Sequence, residues 1–429
     1  MVDLAPVRAW HPDPDLASPN DLVCPVYDTL SDAELARYSR HMFNAAGFVP
    51  RPRTLPLARF LGQARSRLSE ALAAGAFRQD PRSALYVYGI RYSPPPDIIE
   101  TIAPKDRRHE YLLLGLVGAL DLDRVGPGEV ALHERTFEDR VDERVALTDA
   151  TGMSFAPIVA GYHLPDHRLN DLLEQILGLD RRRLAFDGTE RPVAEAVLDG
   201  TVHRLWRVDD PAHLRAIREI ARPLRLLILD GHHRFTAAAH RHFEGRRSAP
   251  LTMIVDGRDR ALRVLPWHRV LPARIVPAPE LIAAARREFE RVRPVSGTAS
   301  TARAIATLRA MGGDGPRGFL AVSGRRMVRI TGPARRDVGA DFDLLHAFLE
   351  ERLHVDPHEL AFLRSPRAAL AAAARAGPGP GTALLLPGLT EAGIEERAFG
   401  SGAPMAHKST MFLPKVVEGL IFARADGRD

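Results

Sequence analysis

The chain is short of cysteine, of lysine and of long apolar runs, and each shortage removes a class of protein. Cys24 is the only cysteine among 429 residues, which excludes an internal disulfide framework and any multi-thiolate zinc site. The longest apolar stretch, around Tyr111 to Leu122, is far below the roughly 18 residues that span a bilayer. The opening MVDLAPVRAWHPDPD lacks the basic-then-apolar pattern of a leader. The expectation is a cytoplasmic protein without a membrane partner. No G-x-x-x-x-G-K-[ST] phosphate loop and no H-E-x-x-H pair occur, so neither a Walker-type site nor a helical zinc site is expected.

Lysine is the odd shortage. Only Lys105, Lys408 and Lys415 occur among 59 basic residues, the others being arginine. The arginine excess reads as compositional background. A net charge of +5 with dispersed arginines and no dense basic run argues against nucleic acid as a partner. Two of the three lysines nevertheless fall in one segment, KSTMFLPK (Lys408 to Lys415). Hydrophobic content of 45% and charged content of 26% are those of a globular chain, long enough for two or three domains.

Periodicity gives a mixed α+β pattern. Residues 1–100 read as an extended arm, a helix near Ala33 to Ala45 opened by Ser31 or Asp32, a helix from Leu57 to about Ala74, and a strand Ala84–Tyr92. Residues 101–272 read as the core, with buried strands at Leu112–Leu122, Phe155–Tyr162 and Leu224–Leu229. A single strand is expected over Arg263–Val270. Three prolines over Leu271–Glu280 mark a linker, and residues 280–429 read as a separate α+β unit.

Three motifs are candidates for chemistry. In LLILDGHHRFTAAAH, an apolar strand meets Asp230–Gly231, and Phe235–His242 reads as the following helix. A helix start favours phosphate, glycine allows close approach, and Arg234 is a bidentate phosphate donor. His232 and His233 add donors or one acid–base group, and Asp230 can take a proton or a magnesium ion. The second motif is HERT (His133–Thr136), extended to Glu138, Arg140 and Arg144. It offers a carboxylate base and anion-binding arginines, although such charge density equally fits a solvated helix start. The third is KSTMFLPK, whose lysine and hydroxyl groups suit phosphate. His163 and His167 read as surface residues, and Trp206 and Trp267 as core.

In this order, HERT…DERVALTDAT…APIV, HRLWRVDD, LLILDGHHRFTAAAH, LRVLPWHRVL and KSTMFLPK resemble a widespread bacterial and archaeal family of unknown function marked by its D-G-H-H-R loop. The central part resembles the ParB/sulfiredoxin-like superfamily, which includes nucleotide-dependent free serine kinases. The resemblance implies a ParB/sulfiredoxin-like core with an N-terminal extension and a C-terminal α+β region. It implies a phosphate loop of Gly231, His232, His233 and Arg234. The charge and hydroxyl groups of the other two motifs make Arg144, Lys408, Ser409 and Thr410 expected further nucleotide contacts. Asp230 is implied as the magnesium ligand. Glu134, with His133 beside it, is implied as the base for a substrate hydroxyl, and Glu138 competes with it. ATP or ADP with Mg²⁺ is the implied cofactor set. The partner is a small hydroxylated molecule, such as free serine or a related amino acid. The alternative is a nucleotide-binding switch that engages a protein or nucleic acid, and a phosphate-ester hydrolase is a weaker third reading. A homodimer is compatible with the sequence, which leaves the oligomeric state open. His232 stands where sulfiredoxins carry cysteine, which disfavours their redox reaction.

Overall fold

The computed structural model describes residues 2–27, 29–102, 107–312, 317–332, 340–377, 379–400 and 402–428. Lys105 and Pro378, the latter within the expected AGPGPG loop, lie outside the described residues.

The fold is mixed α/β, built on two sheets. The first follows the order Ala194–Leu198, Thr201–Val208, Leu85–Tyr92, Tyr111–Leu120, Leu251–Asp256, Ile158–Tyr162, Leu226–Asp230, Val130–Leu132, with Leu4–Ala5 also on Tyr111–Leu120. Its pairs are antiparallel except Leu251–Asp256 with Ile158–Tyr162, and Leu226–Asp230 with Val130–Leu132. The continuous apolar run Tyr111–Leu120 is explained by burial on both faces. Tyr111, Leu113, Val117 and Ala119 enter one core, and Leu112, Leu114, Leu116 and Leu120 the other. Helices Arg168–Leu177 and Pro211–Ala221 cover the second core through Leu169, Leu173, Leu177 and Ile217.

The first core is closed by the end of the chain. Phe412, Val416, Val417, Leu420 and Ile421 pack into it. Thr410–Leu413 pairs with Arg263–Pro266, Val417–Glu418 with Cys24–Pro25, and Ala423–Arg424 with Met153–Ser154. The second sheet is wholly antiparallel, in the order Arg291–Pro294, Arg326–Thr331, Gly318–Ser323, Thr382–Leu385, His268–Leu271, Ala361–Leu363. The single strand expected over Arg263–Val270 is therefore two. Arg263–Pro266 and His268–Leu271 join different sheets on either side of Trp267. Pro266 supplies the reason, because it has no N–H with which to continue a ladder. The sheets also exchange chain across the expected Leu271–Glu280 linker. His268–Leu271 already belongs to the second sheet, while Met405, Phe412 and Val416 pack on the first and Ala406 on the second.

The proline-rich arm is held at several points. Its strand Trp10–Pro12 pairs with Phe77–Gln79, and Trp10 stacks on Phe422 at 5.9 Å. The helix Asp32–Tyr38 opens with a capping box in which the Ser31 hydroxyl accepts from the Glu34 N–H and Glu34 accepts from the Ser31 N–H. No described helix is long and apolar enough to cross a membrane.

Candidate functional site

Two parallel strands bring the first two motifs together. Leu226–Asp230 and Val130–Leu132 run side by side, with Ile228 opposite Leu132. Parallel neighbours end at the same edge of a sheet, so His133 and Glu134 emerge beside Asp230 and Gly231. Ligands of open α/β sheets bind outside such carboxyl ends. Gly231 caps the following helix with φ of +87°, a left-handed turn that side chains rarely adopt. The helix then begins at His232 and runs to Phe243, three residues earlier than the alanine run suggested. The two histidines thus form its first turn.

The third motif joins through the chain end. Met405 bridges Glu134 in parallel, its N–H donating to the His133 carbonyl at 2.8 Å. Ser409 and Thr410 N–H then donate to Glu134 Oε2 at 3.0 and 3.2 Å. The Thr410 hydroxyl reaches the same oxygen at 3.4 Å and lies 2.7 Å from His133 Nε2. His133 Nδ1 lies 3.3 Å from His232 Nε2. His232 Nδ1 faces Glu134 Oε1 at 3.7 Å. Glu134, Thr410, His133 and His232 therefore close a ring of four buried polar side chains, one or more from each motif. Burial, and then the His232 ring, push the His133 imidazole down to about 3, so it stays neutral. Its one N–H and one lone pair are shared among Thr410, His232 and the Ile228 carbonyl.

A cleft of about 750 Å³ opens beside this ring, lined by Glu134, Arg135, Glu138, Asp142, Arg225, Thr236, His240 and His407. Thr236 and His240 follow His232 at intervals of four, so one face of the helix borders both ring and cleft. Glu134 is 7% exposed, whereas Glu138, the competing base, is the exposed first residue of helix Glu138–Thr151. His233 accepts the Phe137 N–H at 3.2 Å and thereby holds the start of that helix. The Phe137 ring also stacks on His407 at 4.3 Å and packs on His358 at 4.6 Å.

The remaining expected residues are placed differently. Arg234 donates to the Ala156 and Pro157 carbonyls at 2.9 and 3.0 Å and to Asp230 at 3.2 Å. Arg144 donates to the Val49 carbonyl and to Glu143, and its guanidinium lies 4.3 Å over the Tyr27 ring. Both arginines line a separate small cavity of about 50 Å³, not the cleft. It is Lys415 that pairs with Asp230, while the Lys408 ammonium lies 5.7 Å from the Trp267 ring centre. Asp230 consequently faces an ammonium and a guanidinium. A magnesium ion at Asp230 has to displace both, and no cluster of three His, Cys, Asp or Glu suited to a metal occurs among the described residues. In the nucleotide-free chain these two cations occupy Asp230, and magnesium is ordinarily held by one or two carboxylates together with substrate phosphates.

Sequence reasoning missed several neighbours. Arg269, fully buried, donates to His346 Nε2 at 3.0 Å and to the His407 carbonyl at 2.9 Å. Burial pulls its guanidinium down to about 9, against the pull of Glu134. Burial and Arg269 hold His346 down at about 2. The signal was an arginine inside an apolar strand run. Of the two histidines read as surface residues, His167 is exposed and His163 partly buried, and both contact acids. His163 lies 2.7 Å from Glu395, and His167 lies 2.5 Å from the buried Asp256.

A family model described as a protein of unknown function, DUF1015, matches residues 4–315. The chain belongs to this DUF1015 family. No curated protein matches it. Among solved structures it is similar to a conserved hypothetical protein from Pyrococcus furiosus, at 12% identity and TM-score 0.40, over 71% of this chain and 95% of that one. A free serine kinase in complex with AMP is similar at 12% identity and TM-score 0.40, over 71% and 92%. A C-terminally truncated SbnI from Staphylococcus aureus is similar at 10% identity and TM-score 0.37, over 70% and 85%. Likenesses this distant leave function to be argued from the residues of the DUF1015 chain itself.

Proposed function

We propose that this DUF1015 protein is a nucleotide-dependent phosphotransferase that phosphorylates a hydroxyl group of a small molecule, in line with the resemblance of its core to ParB/sulfiredoxin-like kinases. The observation that carries the reading is the ring of Glu134, Thr410, His133 and His232 beside a charged cleft. A carboxylate held by two backbone N–H groups has a fixed orientation, and its other oxygen faces His232. In the proposed reaction the acceptor hydroxyl gives its proton to Glu134. Its oxygen bonds to the terminal phosphorus of the nucleotide, and the shortened nucleotide leaves with the electron pair of the broken P–O bond. Cations near the transferring group supply most of the help such a reaction needs. Arg135 and Arg225 line the cleft for that purpose. Glu138 and Asp142 in the same lining suit an ammonium group, so a hydroxy amino acid is the preferred acceptor. ATP or ADP is the preferred donor.

The test is incubation of the full chain with ATP or ADP and a pool of hydroxy amino acids, with and without magnesium, read by mass spectrometry. A phosphorylated product that fails to form with the Glu134→Gln variant is the expected result. Nucleotide binding and slow hydrolysis without any phosphorylated acceptor would replace this reading with the nucleotide switch.

A further inference from the structure

The segment carrying two of the three lysines is a partition with two faces. Side chains alternate along a strand, and those of Thr410–Leu413 do so here. Thr410 and Phe412 face the ring, Phe412 meeting His133 edge-on at 5.8 Å. Met411, Leu413 and, beyond Pro414, Lys415 line a different cavity, of about 490 Å³. Tyr92, Trp267 and Phe362 supply aromatic surface to it. Trp267, Met411 and Leu413 form one apolar cluster, and the Trp267 N–H donates to the Ser409 carbonyl at 3.2 Å. Lys415 lines this slot while its ammonium reaches Asp230, the residue before Gly231.

The two cavities differ in their aromatic lining. In the cleft at Glu134, Phe399 is the one phenyl ring among the lining residues, and the Arg225 guanidinium covers it at 3.9 Å. The slot has three aromatic side chains in its wall, with Lys408 over the Trp267 ring and Arg269 over that of Phe362, and a size within the usual range of small-ligand pockets. Flat rings with polar edges stack on such walls. We infer that the slot beside Trp267 holds the base and sugar of the nucleotide, with Lys415 directing its phosphates toward the D-G-H-H-R turn. This rests on the nucleotide-dependent reading above and adds to it a division of labour. The base sits on one face of the 410–415 segment and the acceptor on the other.

The experiment titrates the full chain with ATP and, separately, with inorganic tripolyphosphate, by calorimetry and tryptophan fluorescence. Expected are quenching by ATP and weaker binding of tripolyphosphate without quenching. The Trp267→Phe variant keeps Trp10 and Trp206 but loses the quenching. Trp267→Ala and Phe362→Ala each weaken ATP binding by roughly fivefold or more, with circular dichroism confirming that they are folded. Equal affinity for ATP and tripolyphosphate, or full quenching in Trp267→Phe, overturns the slot assignment. In that case a loss of phosphoryl transfer in Glu134→Gln still upholds the kinase reading. Failure of ATP to bind the unaltered chain overturns both.

Discussion

Replacing Glu134 by glutamine separates the chemistry of the ring from its architecture. Glu134 Oε2 accepts the Ser409 and Thr410 N–H groups and the Thr410 hydroxyl, and Oε1 faces His232. A glutamine amide can keep its oxygen where Oε2 stands and present its NH₂ to His232. The change then converts charge-assisted bonds to neutral ones, at a cost of about 1 kcal/mol. Alanine instead strands two buried backbone donors, at about 1–3 kcal/mol each. The Glu134→Gln protein should therefore melt close to the unaltered chain, and Glu134→Ala clearly below it. Catalysis should move the other way. Glutamine cannot accept a proton at neutral pH, so a positioned base is lost and kcat falls by about 10²–10⁴, with nucleotide affinity retained. The assays are thermal or denaturant melts, calorimetric nucleotide titration and single-turnover phosphoryl transfer. A fall in kcat of less than about tenfold, below what a positioned base contributes, refutes Glu134 as the base. Equal melting of the Gln and Ala variants refutes the hydrogen-bond argument.

Three further outcomes follow from the geometry. Arg234→Lys loses the fork that spans the Ala156 and Pro157 carbonyls and Asp230, so denaturant unfolding should show a loss of about 1–3 kcal/mol; an unchanged midpoint contradicts this. Burial holds His133, His203 and His268 down at about 3, whereas in the unfolded chain they titrate near 6.5. Between those values the unfolded state binds more protons, so stability is full above about pH 6.5 and falls as pH drops, by up to about 1.4 kcal/mol per pH unit for each histidine. Denaturation midpoints at pH 7.5 and 5.5 check this, and equal midpoints argue against it. Finally, because Asp230 is paired with Lys415 and Arg234, EDTA should leave the melting temperature of the nucleotide-free chain unchanged. A clear drop would restore a bound metal.

Local pattern alone determined much of this protein. The alternating burial of Tyr111–Leu120, the capped helix at Ser31 and the strand–glycine–helix at Asp230–His232 depend on neighbours in sequence, and their signatures are local. The scarcity of lysine also singled out the segment that closes the site. What the sequence left open depends on contacts between residues far apart along the chain. The parallel pairing of Leu226–Asp230 with Val130–Leu132 set Glu134 beside His232. The return of the chain end gave the Glu134 carboxylate its donors from Ser409 and Thr410, some 275 residues away. Tertiary structure likewise turned Arg234 and Arg144 inward to carbonyls and acids, and gave Asp230 to Lys415. A guanidinium or a carboxylate advertises its charge in the sequence, but which partner satisfies it once water is removed is decided only by what the folded chain brings within hydrogen-bonding reach.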